Sequence, residues 1–245
     1  MASPLEQFEI RTIVPIHVGD IDLSFTNSAA WMVVATAAAT VFLALGARRR
    51  ALVPGRWQVM TEMAYEFIAN LIRENVGDAG RRYFPYIFTL FMFILFGNIL
   101  GLIPYSFTYT SHIAVTGALA LTVIIAVTVI GFVKHGGHFL TLFVPGGMPW
   151  LLLPLMVPIE IISYLSRPLS LSIRLFANMM AGHTMMKVFA SFVIPLGAVS
   201  FGVGGILPLA LDVALTGFEL LVAFLQAYIF TVLTCLYLND ALHLH

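Results

Sequence analysis

Apolar residues in this chain come in long unbroken runs, and the charges collect in the gaps between them. The first run, "AAWMVVATAAATVFLALGA" (29–47), carries no charge over about the 20 residues that a helix needs to cross hydrocarbon, and it ends at Arg48, Arg49 and Arg50. It predicts a membrane span. The next segment, "RWQVMTEMAYEFIANLIRENVG" (56–77), mixes the two classes: Val59, Met63, Phe67 and Ile68 fall on one helical face, and Glu62, Glu66, Arg73 and Glu74 interrupt the rest. That pattern predicts an amphipathic helix lying in the interface or against the bundle. Two further runs, 83–107 and 113–133, predict a second and a third span, with Tyr83, Tyr86, Tyr105 and Tyr109 as interfacial aromatics at the ends of the former. "KHGGHFLTLFVPGG" (134–147) is too short and too rich in Gly and Pro to span, so residues 134–148 read as a connector.

The last two runs are too long for ordinary spans. Residues 149–194 and 205–238 would extend roughly 68 and 51 Å as helices, against a hydrocarbon core of about 30 Å. Modest tilt cannot absorb such an excess. Both helices are therefore expected to lie steeply inclined, forming a surface that curves around a partner, with bends at Pro154, Pro158 and Pro168 in the first. "GVGG" (202–205) reads as the connector between them.

The excess of arginine at 48–50, with Arg56, places the loop after the first span in the cytoplasm. Residues 1–28 are then outside, and counting spans places the 134–148 connector and a tail at 239–245 on the cytoplasmic side. The fold class is thus an all-α polytopic membrane protein. It has one integral membrane domain with about five membrane helices and one interfacial helix. The opening residues carry acids, a single arginine and no sustained apolar run, so they resemble neither a secretory signal nor a transit peptide.

Composition narrows the chemistry. The chain is 60% hydrophobic and 10% charged, with a mean hydropathy of +0.97, so lipid must be the solvent for much of its surface. Its 12 basic and 12 acidic residues balance, leaving no basic excess to suggest a nucleic-acid partner. Cys235 stands alone and reads as a small hydrophobe. His135 and His138, beside paired glycines with no Cys or carboxylate companion, read as loop residues, and no metal or cofactor is expected.

Ionisable groups inside spans are costly and are functional candidates by default. The first long run holds Glu160, Arg167, Arg174, His183 and Lys187. At 100° per residue, Arg167, Arg174 and Asn178 share a face, Glu160 lies about 40° from it, and His183 points to the opposite face. In the second long run Asp212, Glu219 and Gln226 are spaced by seven and form one stripe. Arg167 and Lys187, near a proline and a helix end, read as snorkelling side chains as readily as functional ones. Arg174 is different. It stays protonated at physiological pH and has no carboxylate at i±3 or i±4, so its counter-charge must come from a water-filled cavity or another subunit.

"SRPLSLSIRLFANMMAGH" (166–183) and "FELLVAFLQAYIFTVLTCLYL" (218–238) resemble the two signature helices of the subunit a family in the membrane sector of rotary ATP synthase. "SPLEQFEI" (3–10) and "FGNILGLIP" (96–104) extend the likeness. The resemblance implies a non-catalytic proton-channel stator whose partners are a ring of c subunits, b-type peripheral-stalk subunits and membrane lipid. It implies that Arg174 is the essential stator arginine, that Asn178 lines its face, and that His183, Glu219 and Gln226 belong to an aqueous half-channel. One bacterial type of the family carries Glu and His where this chain has His183 and Glu219. The swapped arrangement here is similar to mitochondrial and alphaproteobacterial members and keeps one acid and one imidazole for a relay.

Two offset half-channels would then carry protons to and from a ring carboxylate, coupling proton flow to ATP synthesis. Arg174 would separate them, Glu160 would serve the exit side, and Asp212 would stand at the entry mouth. Richness in Ala, Val and Gly points to a bacterial inner membrane, with the mitochondrial inner membrane as the alternative. The competing readings are an unrelated secondary transporter or ion-channel subunit, which would call for internal repeats, and an intramembrane enzyme, for which Ser170 and Ser172 lack a base at helical spacing.

Overall fold

The computed structural model describes residues 8–18, 21–22, 24–48, 54–103, 106–144, 152–199 and 203–243. Arg49, Arg50, Tyr105, Gly202 and the residues before Phe8 lie outside them. Among the described residues, four short strands precede the helices: β1 (Thr12–Val14) pairs antiparallel with β4 (Phe25–Thr26), and β2 (His17–Val18) with β3 (Ile21–Asp22). The helices are α1 (Asn27–Ala47), α2 (Arg56–Asn75), α3 (Phe84–Gly101), α4 (Ile113–His135), α5 (Leu153–Val199) and α6 (Val203–Leu242), with 3-10 turns at Asp78–Tyr83, Tyr109–Ser111 and Gly136–Phe143. Among the described residues, five helical stretches are long and apolar enough to cross a membrane, and the chain is an all-α polytopic membrane protein. At 1.5 Å per residue, the 47 residues of α5 extend about 70 Å and the 40 of α6 about 60 Å.

Several boundaries differ from the sequence reading, each for a local reason. The second span stops at Gly101, not 107. The hydroxyls of Ser106 (2.9 Å) and Thr108 (3.2 Å) donate to the Gly101 carbonyl at the helix end, where carbonyls need partners from outside the helix. Tyr109 is no interfacial aromatic. Its ring is fully buried and its hydroxyl donates to the Phe93 carbonyl at 2.9 Å. Helix α5 continues to Val199, past the expected end at 194, and includes Pro158 and Pro168. Within "GVGG", Val203, Gly204 and Gly205 form the first turn of α6, which continues to Leu242 and so absorbs most of the expected tail.

The chain divides into two compact units. The first comprises residues 1–44, 92–112 and 175–227. In it, Thr26 and Asn27 start α1: the Asn27 carboxamide oxygen accepts the Arg11 and Ser28 amides, and Thr26 Oγ1 accepts the Ala29 amide. Late in α5 and early in α6 the backbones come close, since a Cβ on Gly205 would stand 2.8 Å from the Val193 carbonyl oxygen. Asn98, His183, Glu219 and Gln226 are all buried here.

The second unit comprises residues 45–91, 113–174 and 228–245, and among its described residues it buries the hydroxyls of Thr116, Ser172, Thr231 and Thr234. Helix α2 buries Ile68, Leu71 and Ile72 and leaves Trp57, Met60, Met63 and Phe67 exposed, as a helix in the interface would. It ends where Gly77 takes φ 75°, a conformation that favours glycine. Helix α4 is tied to α5 through Thr116 and Ser172 (3.2 Å) and through Thr128 and the Tyr164 hydroxyl (2.7 Å). Lys134 donates to the Leu242 carbonyl at 2.9 Å, placing a cation at the C-terminal end of α6. Arg167 does not simply snorkel: it meets Asp240 at 2.8 Å, with the rings of Tyr164 and Tyr237 6.0 and 5.4 Å from its guanidinium.

Two outcomes follow. Arg167→Ala and Asp240→Ala are each expected to destabilise the detergent-solubilised protein by about 1 kcal/mol or less, because both side chains are partly exposed. The double variant should cost less than the sum of the singles in thermal unfolding; strict additivity would show that the pair does not interact. His112, stacked on Phe107 just before α4, is held below its usual pKa of 6.5 by burial. A depressed folded pKa makes its contribution complete above about pH 6.5 and lost as the pH falls below that value. Hydrogen-exchange protection factors of residues 106–112 should accordingly drop at pH 5 relative to pH 7.5.

Candidate functional site

In the first unit, the buried positions of α5 follow the helical repeat: Leu175, Met179 and His183 turn inward, while Asn178, Ala181 and Met185 are exposed. From α6, Glu219, Ala223, Gln226 and Ala227 are buried. His183 and Glu219 therefore meet, with His183 Nε2 standing 3.6 Å from Glu219 Oε1. That separation permits ion pairing but is too long for a hydrogen bond. Both Glu219 oxygens are buried and neither has a hydrogen-bond partner among the described residues. A carboxylate is expensive in a low-dielectric interior unless donors satisfy it.

Glycine provides the space. A Cβ on Gly182 would lie 2.6 Å from Glu219 Oε1, so any side chain there would push the carboxylate away from its seat against α5. Gly182, Glu219, Asn178, Met185 and Phe218 help to line an open concavity of about 310 Å³ between the two helices.

Three other groups surround the pair. Thr108, in the segment after α3, places its hydroxyl oxygen 3.0 Å from His183 Nε2. The Phe8 ring meets the imidazole edge-on, with centroids 6.4 Å apart. Asn98, within α3, donates to the Ala223 carbonyl at 3.2 Å, one turn beyond Glu219, and its own carbonyl oxygen is buried without a partner among the described residues. Sequence reasoning singled out neither Asn98 nor Thr108. For Asn98 a signal existed, an amide in the middle of an apolar span; Thr108 sits among ordinary loop hydroxyls and gave none.

The remaining predicted residues are placed separately. Gln226 is buried on α6 in the first unit, two turns beyond Glu219. Asp212, two turns before Glu219, is half-buried, with one carboxylate oxygen enclosed and unpartnered among the described residues. Arg174 and Glu160 belong to the second unit. Arg174 is exposed on α5 and makes no hydrogen bond or ion pair with the described residues. Glu160 is half-buried near the start of α5.

A family model described as ATP synthase A chain matches residues 29–239. The chain is 61% identical over 243 residues to a protein named ATP synthase subunit a from Chelativorans sp. (strain BNC1), with 98% of each chain covered. It is 60% identical over 243 residues to the protein of the same name from Rhizobium etli (strain CIAT 652), covering 98% of this chain and 97% of that one. It is 56% identical over 245 residues to that of Rhodospirillum rubrum, with both chains covered completely.

The geometry yields one direct expectation. Gly182→Ala should lower the rate of proton passage about ten- to a hundredfold in vesicles containing the assembled complex, because the Glu219 carboxyl must leave its place beside His183. A near-normal rate would show that the position of this carboxyl is immaterial.

Proposed function

The chain belongs to the ATP synthase A chain family, and from that membership we propose that it is the proton-channel stator subunit of ATP synthase, non-catalytic by itself. It works against a ring of c subunits and is held by b-type peripheral-stalk subunits within the membrane. The observation that carries this reading is the family match across residues 29–239, which includes α5 with its exposed Arg174. A guanidinium with no ion-pair partner among the described residues, in a helix apolar enough to span lipid, calls for a counter-charge on another chain.

Helices of about 70 and 60 Å do not stand upright in a 30 Å core. They lie inclined, and the face of α5 bearing Arg174 and Asn178 turns towards the ring. Protons enter from the outer side through His183 and Glu219, with Asp212 at the mouth and Gln226 as a hydrogen-bonding neighbour of the path. They bind the ring carboxylate, travel with rotation and leave past Glu160. Arg174 separates the two routes. It cannot release its proton, so it passes none, and its charge favours the ionised ring carboxylate at the point where the ring must be deprotonated. Each proton crossing 100 mV contributes about 2.3 kcal/mol, all of it wasted if protons slip past this residue.

The orientation follows from the arginines after α1: the N-terminus is outside and the C-terminus cytoplasmic, in a bacterial inner membrane.

The test is Arg174→Ala and Arg174→Lys in the intact complex. Both should assemble, because the position is exposed and no packing is lost, and both should abolish proton-driven ATP synthesis. Lysine fails because a desolvated amine can lose its proton. Passive proton conductance of the alanine variant, stripped of its catalytic head, should persist or rise. Normal coupled synthesis in the alanine variant would sink the assignment, and failure to assemble would make Arg174 a structural staple.

A further inference from the structure

We infer that Thr108 is a positioning residue of the entry path, holding the Nε2 edge of His183 towards Glu219 in both neutral tautomers of the ring. The inference rests on the reading of His183 and Glu219 as relay groups and adds a third member from a different element.

The Thr108 hydroxyl is buried and has two partners. It lies 3.2 Å from the Gly101 carbonyl oxygen and 3.0 Å from His183 Nε2. The carbonyl can only accept, whereas Nε2 donates in one tautomer and accepts in the other. One hydroxyl proton serves both cases. With the proton on Nε2, Thr108 donates to Gly101 and accepts from the imidazole. With the proton on Nδ1, the hydroxyl turns and donates to Nε2. An aliphatic side chain of the same shape could do neither, and an amide or carboxylate would favour one form.

This matters because Nε2 is the ring atom that faces Glu219 Oε1. A proton arriving at Nδ1 of the Nε2–H tautomer gives the imidazolium. The Nε2 proton then passes to Glu219 Oε1, leaving one proton on the carboxyl and one on Nδ1, so that one proton has entered and one has moved on. Throughout, the edge that delivers the proton stays against Thr108. Transfer requires the 3.6 Å gap to close towards hydrogen-bond distance, and a ring anchored at the same nitrogen closes it by a small tilt. Phe8 packs edge-on to the imidazole. The charged groups bearing on the ring are Glu219 from α6 and Lys187, one turn further along α5. Thr108 is itself held. Ser111 Oγ donates to the Thr108 carbonyl at 2.6 Å, and a Cβ on Gly101 would stand 2.6 Å from Thr108 Oγ1, so that glycine admits the hydroxyl.

The experiment measures ATP-driven proton pumping by the intact complex in vesicles, as a function of pH, for Thr108→Val and Thr108→Ser. Valine keeps the shape and removes both hydrogen bonds. It should lower the maximal rate about three- to tenfold and displace the pH profile, because the ring loses its tautomer-independent anchor. Serine should restore rate and profile to within about twofold of the original. A valine variant with the original rate and profile would overturn the inference, as would serine failing alongside valine, which would assign the role to the methyl group. If the valine complex does not assemble, Thr108→Ala carries the same expectation, and failure of both to assemble would overturn the inference by making the hydroxyl a folding element. His183→Ala and Glu219→Gln separate the two levels of argument. If both pump normally, the relay reading itself fails; if they are impaired while Thr108→Val is normal, only the role of Thr108 fails.

Discussion

The feature on which the proposed function depends is a carboxyl group buried with no hydrogen-bond donor among the described residues. Glu219 sits inside a protein whose surroundings are lipid, and its nearest polar companion, His183, stands just beyond hydrogen-bond range. A structural ion pair would be poorly built this way, since a buried charge is tolerated only when several donors satisfy it. A proton carrier is well built this way. Its neutral and ionised forms must stay close enough in free energy to exchange, and strong donors would trap one of them.

Much of the surrounding architecture follows from accommodating that pair. Gly182 leaves the carboxyl its room, Gly205 brings α6 against the backbone of α5, and the segment after α3 returns Thr108 to the imidazole instead of continuing as helix. Among the described residues, the first unit buries amide, imidazole and carboxyl groups beside its hydroxyls, while the second buries hydroxyls, of which Thr116 and Ser172 pair across two helices and Thr234 donates to the Phe230 carbonyl. The unit rich in transferable protons thus holds the candidate relay. The other unit closes its helix ends with pairs such as Arg167 with Asp240 and Lys134 with the Leu242 carbonyl, which suits a scaffold.

How much of this the sequence revealed depended on the range of the interactions involved. The long apolar helices, the amphipathic helix α2 and the excessive length of the last two helices were legible because hydropathy and length act along the chain. His183, Glu219, Asp212, Gln226 and Arg174 were visible as polar interruptions of apolar helices, and the family resemblance added their roles. The true end of α3 was not legible, since it depends on Ser106 and Thr108 folding back to cap Gly101. For Arg167 the sequence left snorkelling and function equally open, because its partner lies 73 residues away. Thr108 escaped for the same reason: a threonine in a loop acquires meaning only when the fold sets it against an imidazole 75 residues further on.

The central claim is that Glu219 exchanges protons with the outer side of the membrane and not with the cytoplasm. Infrared difference spectroscopy on the intact complex in sealed vesicles tests it directly, with the protonated-carboxyl band of Glu219 identified by its loss in Glu219→Gln. Changing the pH on the outer side alone should raise or lower that band while rotation is blocked. A band that instead follows the cytoplasmic pH, or responds to neither side, would contradict the account.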